Sequence, residues 1–253
     1  MMLRKHLGSI YKRLNRLFAH PFQVYRRQGA YFLLNQNSFM DEGLIKFKPY
    51  ETELIAQAVA IIGRHRITHF FDIGANLGYY TVLLGRQPQI TTIRSFEPFP
   101  ALQLQIGSNV LINGLEDKWR GFQCALGEKE GEAELFYHPF WLGTSSLDRD
   151  WVQRSEYSIR VDVRPFDSLV DTRGERCFVK IDVEGTELAV LAGMQAFLRN
   201  NAVFLQIETT GERAAQVEAV LRDAGYRPAG RASGADLYFS NFADDEAGAV
   251  TPP

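Results

Sequence analysis

The chain has 253 residues, 45% of them hydrophobic, with 28 Lys/Arg against 30 Asp/Glu and a formal net charge of −2. This is the size of one large domain, or of a core domain with an extension. No apolar run reaches the roughly 18 residues needed to span a bilayer, the first residues lack the apolar segment of a secretory signal, and Cys124 and Cys177 show neither metal-ligand spacing nor a disulfide framework. These features together set a reducing, cytoplasmic location as the expectation.

The charge is unevenly distributed. Residues 1–40 carry Arg4, Lys5, Lys12, Arg13, Arg16, Arg26 and Arg27 and no acid. Within them Leu3, Leu7, Ile10, Leu14 and Leu17 step by helical spacing, which predicts a basic amphipathic helix. Such a helix either packs on the domain or a second subunit, or lies on an anionic membrane surface as a peripheral contact. Residues 1–45 therefore read as a helical and irregular N-terminal arm, 46–242 as the main domain, and the acidic, Pro-ended 243–253 as a disordered tail.

Helix and strand signals alternate through the main domain. TELIAQAVAII (52–62) repeats apolar residues at helical spacing and stops at Gly63. ITHFFDIG reads as a buried strand, GYYTVLLGRQ as a helix and TTIRSFEP as a strand. PALQLQIGSNVLI reads as a helix with Pro100 in its first turn, and WRGFQCAL as a third strand. After an interruption at 128–170 come CFVKIDVEG (strand), TELAVLAGMQAFLRN (helix), AVFLQIET (strand), GERAAQVEAVLRDAG (helix) and ADLYFSN (strand). Such alternation predicts an α/β protein, a parallel sheet covered by helices on both faces. In the interruption, EAELFYH and YSIRVDV read as antiparallel excursions around a loop, FWLGTSSLDRDW.

The stretch FFDIGANLG (70–78) joins a strand end, a tight turn and a helix start. Ligands of open parallel sheets bind beyond the carboxyl ends of the strands. Gly74 permits a backbone that a Cβ would hinder, and Gly78 allows close approach of the helix or of a ligand. Asp72 puts a carboxylate at that crevice, which would repel a pyrophosphate but suits a ligand with an amino group. Glu97, in SFEPFP, ends the next strand 25 residues on, where an acid can accept hydrogen bonds from ribose hydroxyls. A nucleoside bearing a cationic amine meets both demands, and S-adenosylmethionine is such a molecule. Glu97 also has a simpler reading, as a cap for the helix that starts near Pro100.

D-I-G-A-N-x-G, F-E-P and K-I-D-V-E-G-x-E, then a hydrophobic helix and a strand ending Q-I-E, occur here in order from about Ile67 to Gly211. This series resembles the FkbM family of S-adenosylmethionine-dependent methyltransferases. V-R-P-F-D-S-L-V (163–170) and G-T-S-S-L (143–147) resemble further segments of that family. The resemblance implies a Rossmann-like class I methyltransferase fold: a mostly parallel seven-stranded sheet, helices on both faces and a reversed last strand. It implies O-methylation of a hydroxyl on a sugar, glycan or natural product. By motif position it implies that Asp72, Gly74, Ala75, Asn76, Gly78, Glu97 and Pro98 hold the cofactor, with Ala125 and Leu126 beside the adenine.

Methyl transfer to a weakly acidic hydroxyl needs a base or a metal for the proton. Asp182 and Glu184 (KIDVEG) and Glu208 (QIET) are acids at strand ends over one crevice, and His138 (YHPFW) is the other candidate. Asp182 is the favoured base and Glu208 its orienting partner; alternatively the two jointly bind a divalent cation, which the sequence does not require. Asp182 and Glu184 also read as caps for the helix near Thr186, with Lys180 as their charge partner. His138 also reads as a surface or packing residue. Tyr137, Phe140 and Trp141 either wall a substrate site or cover the sheet, and no base lies near Ser145 or Ser146 in sequence.

Two other classes share parts of this pattern. A nicotinamide-dependent oxidoreductase would use the same fold, but Asp72 and the absence of G-x-G-x-x-G disfavour it. A nucleic-acid methyltransferase would use the basic arm, but the main domain is acidic and holds no N-P-P-Y-type motif, so no nucleic-acid partner is expected.

Overall fold

Runs that are apolar at nearly every position, such as His69–Ile73 (HFFDI), can pair only where both faces of a sheet are covered. In the computed structural model, which describes residues 21–46, 51–139, 141–152, 155, 157–231 and 235–242, such runs form the centre of a seven-stranded sheet. Its members are β3 (His69–Ile73), β4 (Thr92–Phe96), β5 (Trp119–Phe122), β10 (Arg176–Ile181), β11 (Ala202–Glu208), β12 (Arg227–Arg231) and β13 (Asp236–Ser240). The order across the sheet is β12-β13-β11-β10-β3-β4-β5. The five strands from β11 to β5 are parallel, and β13 runs antiparallel to β11. This is the Rossmann-like class I methyltransferase arrangement with its reversed last strand.

The two faces have separate cores. One side holds Phe70, Phe178 and Phe204 under α2 (Thr52–Arg64), α3 (Tyr79–Gly85) and α4 (Pro100–Leu111). The other holds Phe71, Val179 and Leu205 with α5 (Glu187–Ala192), α6 (Gln195–Asn200) and α7 (Gly211–Asp223). On the first side a polar row crosses the sheet in register: Ser95, Asp72, Lys180, Gln206 and Tyr238. All five are buried.

Several elements differ from the sequence reading. Residues 22–35, assigned to a helical arm, form a hairpin of β1 (Phe22–Arg27) and β2 (Ala30–Asn35), followed by α1 (Phe39–Ile45). Its turn, Gln28-Gly29, has positive φ at both residues (45° and 77°), as primed two-residue turns require. Ala30, Phe32, Leu34 and Leu44 are buried in the main core, so this part of the chain is built into the domain rather than standing apart from it. The stripe from Leu3 to Leu17 and the tail 243–253 lie outside the described residues.

WRGFQCAL is two strands. β5 ends at Phe122, and β6 (Ala125–Leu126) joins a separate four-stranded sheet, β6-β9-β7-β8. There β7 (Gly131–His138) and β9 (Tyr157–Arg164) pair antiparallel as expected, but the expected loop contains β8 (Trp141–Ser146). TELAVLAGMQAFLRN breaks into α5 and α6 at Gly193, where a Cβ would lie 2.0 Å from the Gly127 carbonyl oxygen. The Asp167 carboxylate accepts the amides of Ala196 and Phe197 at 2.7 and 2.9 Å and so starts α6. Strand β12 escaped the sequence reading. Among the described residues no helix is long and apolar enough to cross a membrane.

A two-stranded hairpin is marginal alone, and α4 supplies what it lacks. Gln105, Asn109 and Asn113 lie four residues apart on one helix face. Gln105 Nε2 donates to the Leu33 carbonyl (2.8 Å), and Asn109 Oδ1 accepts the Leu33 amide (2.6 Å). Asn113 takes the amide and carbonyl of Tyr31 at 3.0 and 2.7 Å. Asn109 Nδ2 also donates to the Leu77 carbonyl of the glycine loop (2.8 Å), and Asn109 is fully buried. Truncation at Asn109 leaves a buried amide and a buried carbonyl unpaired. Asn109→Ala is therefore expected to lower unfolding free energy by about 2–4 kcal/mol, read from urea titration; a loss under about 0.5 kcal/mol would mean the ladder does not hold the hairpin.

Candidate active site

Beyond the last residues of the parallel strands the polar row is followed by a row of acids. Glu208 stands opposite Asp236, Asp182 follows β10, and the Asp182 amide donates to the Ile73 carbonyl, beside Gly74. Gly74 has φ +77°, and a Cβ there would stand 1.7 Å from the Asp182 carbonyl oxygen. The missing side chain lets the Asp182 carbonyl pack directly against this loop. Gly74 and Ala75 both donate to the Phe96 carbonyl (3.0 and 3.1 Å), which folds the loop onto β4.

Two solvent-open clefts meet at this contact. The first, about 620 Å³, has Glu97, Pro98, Ala125 and Leu126 on its wall. The second, about 770 Å³, is lined by Asp72, Ala75, Tyr80, Lys180 and Glu208, among others. Gly74, Asn76, Gly143, Asp182 and Glu184 border both. Asn76 and Glu184, on facing loops, both adopt left-handed backbone (φ 52° and 51°), a cost of roughly 1–3 kcal/mol each that clusters at functional sites.

Lys180 organises the second cleft. Its Nζ lies 2.7 Å from Asp182 Oδ2 and 4.7 Å from the centre of the Tyr80 ring. Burial works against its charge, but Asp182, Tyr80, Glu51 and Asp72 together outweigh burial and hold its pKa well above the usual lysine range. Asp72 accepts the Thr81 hydroxyl at 2.6 Å; burial raises its pKa to about 6, with Lys180 and Thr81 pulling the other way. Glu97 is raised to about 7 by burial, although it accepts the amides of Phe99 and Asn76, both at 2.9 Å. Glu208 is raised to about 8, by burial and then by the charge of Asp182. Near neutral pH, Glu208 keeps its proton.

The structure thus brings together Asp72, Gly74, Ala75, Asn76, Glu97, Pro98 and Ala125, and it adds Asp182 at the shared wall and Glu208 on the second cleft. It does not bring in two others. Gly78 lines neither cleft; it caps α3 at φ +84°, and a Cβ there would crowd Ile106 of α4 at 3.3 Å. His138 is exposed at the end of β7 and lines neither cleft. The capping alternatives are resolved as well. Glu97 does hold the Phe99 amide, but it also holds Asn76. Asp182 and Glu184 do not cap α5: Asp182 takes Lys180 and Glu184 takes Trp151, while Glu187 accepts the Gly185 amide. Tyr137 packs against Phe99 and Tyr157 rather than lining either cleft, and Phe140 lies outside the described residues. Among the described residues no group of three or more His, Cys, Asp and Glu is arranged to hold a metal ion.

Sequence reasoning missed Leu44, Glu51, Tyr79, Tyr80 and Thr144, all on the second cleft. For Leu44 no local signal exists, since it reaches the cleft only through the hairpin and α1; Glu51 stands directly before α2, in left-handed backbone. The central role of Lys180 does have a signal: a lysine at an interior position of an otherwise apolar strand, CFVKI.

The residues fit a nucleoside carrying an amino-acid group. Gly74 lets two loops close together where the clefts meet, acids of two neighbouring strands line the clefts, and Asn76 Oδ1 is buried without a partner beside them.

The chain matches the family model described as Methyltransferase FkbM domain over residues 72–228. It is 29% identical over 187 residues to methyltransferase sdnD of Sordaria araneosa, covering 61% of this chain and 72% of that protein. It is 28% identical over 145 residues to methyltransferase 1 of Beauveria bassiana (strain ARSEF 2860), covering 49% of this chain and 57% of that protein, so it spans little more than half of the latter's length. Among solved structures it is similar to a methyltransferase FkbM from Methylobacillus flagellatus KT, with 21% identity and a TM-score of 0.47, over 69% of this chain and 44% of that one. The family match spans well over half of the chain, from Asp72 past Glu208, and the protein belongs to the FkbM methyltransferase family.

Proposed function

We propose that the protein transfers a methyl group from S-adenosylmethionine to a hydroxyl of a sugar, glycan or other natural product. The observation that carries this reading is the pair of clefts meeting at Gly74, with Glu97 on one and Asp72 on the other. Glu97, Pro98, Ala125 and Leu126 would hold the nucleoside; Asp72, Ala75 and Asn76 would hold the amino-acid end. Asp72 is suited to an ammonium because it is fully desolvated and needs a cation to favour its charged form. Bound there, the cofactor supplies a methyl already activated on a sulfonium. Its partner on this reading is a small-molecule or glycan acceptor.

What remains for the protein is alignment and the hydroxyl proton. Asp182 borders both clefts and is the acid we assign as base. Lys180 fixes its orientation through a 2.7 Å contact. Burial and the charge of Asp182 raise the pKa of the Glu208 carboxyl to about 8, which favours its protonated form, and that form can donate a hydrogen bond to an acceptor oxygen where an ionised acid could only accept.

Three outcomes are expected. In calorimetric titration with S-adenosylhomocysteine, Asp72→Asn and Glu97→Gln should each lose about 1–3 kcal/mol of affinity; wild-type affinity in both would refute the placement.

The second concerns pH. Asp72 and Glu97, with pKa about 6 and about 7, must ionise to accept from the ligand, so affinity should rise as pH passes through those values. Both folded-state values exceed the unfolded ones near 4, so the stability these acids confer in their neutral form is full below about pH 4 and is lost as pH rises through 6–7. The ligand-free melting temperature should therefore fall over that window while the ligand-induced shift grows; a ligand-induced shift independent of pH would count against both acids.

The third concerns the proton. Asp182→Asn should lower the methyl-transfer rate by about 10²–10⁴-fold on an accepted sugar or polyketide alcohol, with chelator leaving the wild-type rate unchanged. Full turnover in Asp182→Asn would end its role as base, and loss of turnover with chelator that magnesium restores would favour the metal alternative.

A further inference from the structure

The loop that follows β8 is fastened to the KIDVEG loop by contacts that the reaction itself does not need. Trp151 Nε1 donates to Glu184 Oε2 at 2.6 Å. Its ring lies on Gly185, where φ is +106° and a Cβ would meet ring carbons at 3.1 and 3.2 Å. The Arg213 guanidinium, from α7, lies 5.2 Å from the Trp151 ring centre and also reaches Gly185, where a Cβ would stand 2.6 Å from its Nη1. Arg213 also faces Asp148 at 3.6 Å and Glu187 at 3.8 Å. Ser146, the last residue of β8, donates its hydroxyl to the Glu184 carbonyl at 2.5 Å and accepts the Asp148 amide at 2.9 Å. Two segments distant in sequence, 146–151 and 184–187, are thus joined by an indole, a guanidinium and a hydroxyl.

This fastening bears on both clefts. Glu184 borders the two of them, as does Gly143 of β8. Leu142, Ser145, Ser146 and Leu147 wall the first, and Thr144 the second. Trp151 itself is 39% exposed, a large apolar side chain left on the surface. Glu184 holds left-handed backbone, which a glutamate adopts only under constraint. Gly185 beside it provides the flat seat that the indole requires.

We infer that Trp151 and Arg213 are positioning residues that hold Glu184 and strand β8 over the joined clefts, so that the nucleoside is released only when this clamp opens. The inference rests on the reading that the clefts bind S-adenosylmethionine. It assigns Trp151 and Arg213 no contact with the ligand. They act through Glu184 and the β8 wall, so their loss should show as faster release rather than slower entry.

The test uses S-adenosylhomocysteine with the full-length protein in stopped flow. Trp151→Phe keeps a ring on Gly185 and removes only the N–H, so the variant should fold. Its dissociation rate should rise about tenfold, the effect of losing a hydrogen bond to a charged acceptor, while the association rate stays within about twofold. Arg213→Leu should act in the same direction. In the Trp151→Phe background, Glu184→Gln should add less than about twofold, because the two side chains act as one unit. If both single variants release the ligand at the wild-type rate, the clamp is only a packing contact of the β8 sheet and the inference fails, whatever their melting temperatures. If the wild-type protein binds no S-adenosylhomocysteine, the cofactor reading fails and this inference with it. Intact binding with unchanged release overturns this inference alone.

Discussion

The ammonium of Lys180 is the constraint on which the acid-rich end of the sheet depends. A parallel sheet covered on both faces ordinarily carries apolar side chains, yet here Ser95, Asp72, Lys180, Gln206 and Tyr238 cross it in one row. An isolated ion in that position would cost several kcal/mol. Lys180 avoids this by reaching Asp182 two residues along its own strand, by lying over Tyr80, and by sitting in register with Asp72. The rest of the row is tied in from its ends. Trp119 Nε1 donates to Ser95 at 2.8 Å, and Gln206 Nε2 donates to Asp236 at 2.7 Å. Buried ion pairs are weak evidence for stability, since apolar replacements of the same volume often serve as well or better. The row is better explained by what lies directly above it, the acids of the two clefts.

Those acids stand in tension with the fold. Asp72, Glu97 and Glu208 all have pKa values raised by burial, which means that each favours folding less in its charged form. Asn76 and Glu184 add backbone strain on the two loops that face each other across Gly74. Strain and desolvation collected in one place mark a site arranged for a ligand rather than for stability. The surrounding structure over-determines the loops. Glu97 holds Asn76 from one side, Asn109 holds Leu77 from another, and Ser146 with Trp151 hold Glu184.

Much of this frame was legible in the sequence, and the losses have physical causes. Asp72, Gly74, Glu97, Asp182 and Glu208 could be placed because strand ends followed by glycine or proline are local signals, and topology sends all such ends to one edge. The hairpin could not. Ala30, Phe32 and Leu34 alternate inward, but Tyr31 and Leu33 are apolar too and hide the period of two. Arg27, which read as part of a solvated basic arm, is buried, and its guanidinium donates to the carbonyls of Leu44 and Ile45. The break at Gly193 depends on the Gly127 carbonyl, 66 residues away in sequence, and no window of the helix contains it. His138 drew attention as a titratable residue among aromatics, but it is exposed at the end of β7 and lines neither cleft.

The second cleft is assembled from parts of the chain far apart in sequence. The family match begins at Asp72 and so contains every residue assigned to the nucleoside, together with Lys180, Asp182 and Glu208. Leu44 and Glu51 line the same cleft but precede the match: Leu44 lies in α1, after a hairpin held by Gln105, Asn109 and Asn113, and Glu51 stands at the start of α2. The opposite wall, Gly143 and Thr144, comes from the strand inserted between β7 and β9. On the proposed reading the hydroxyl acceptor enters between these two walls, while the base and its lysine form the floor. A change of acceptor then needs no change in the row that carries Lys180, because that row touches the acceptor only through Asp182 and Glu208. Selectivity can drift in the walls while the charge balance of the floor, to which the whole sheet edge is tuned, stays fixed.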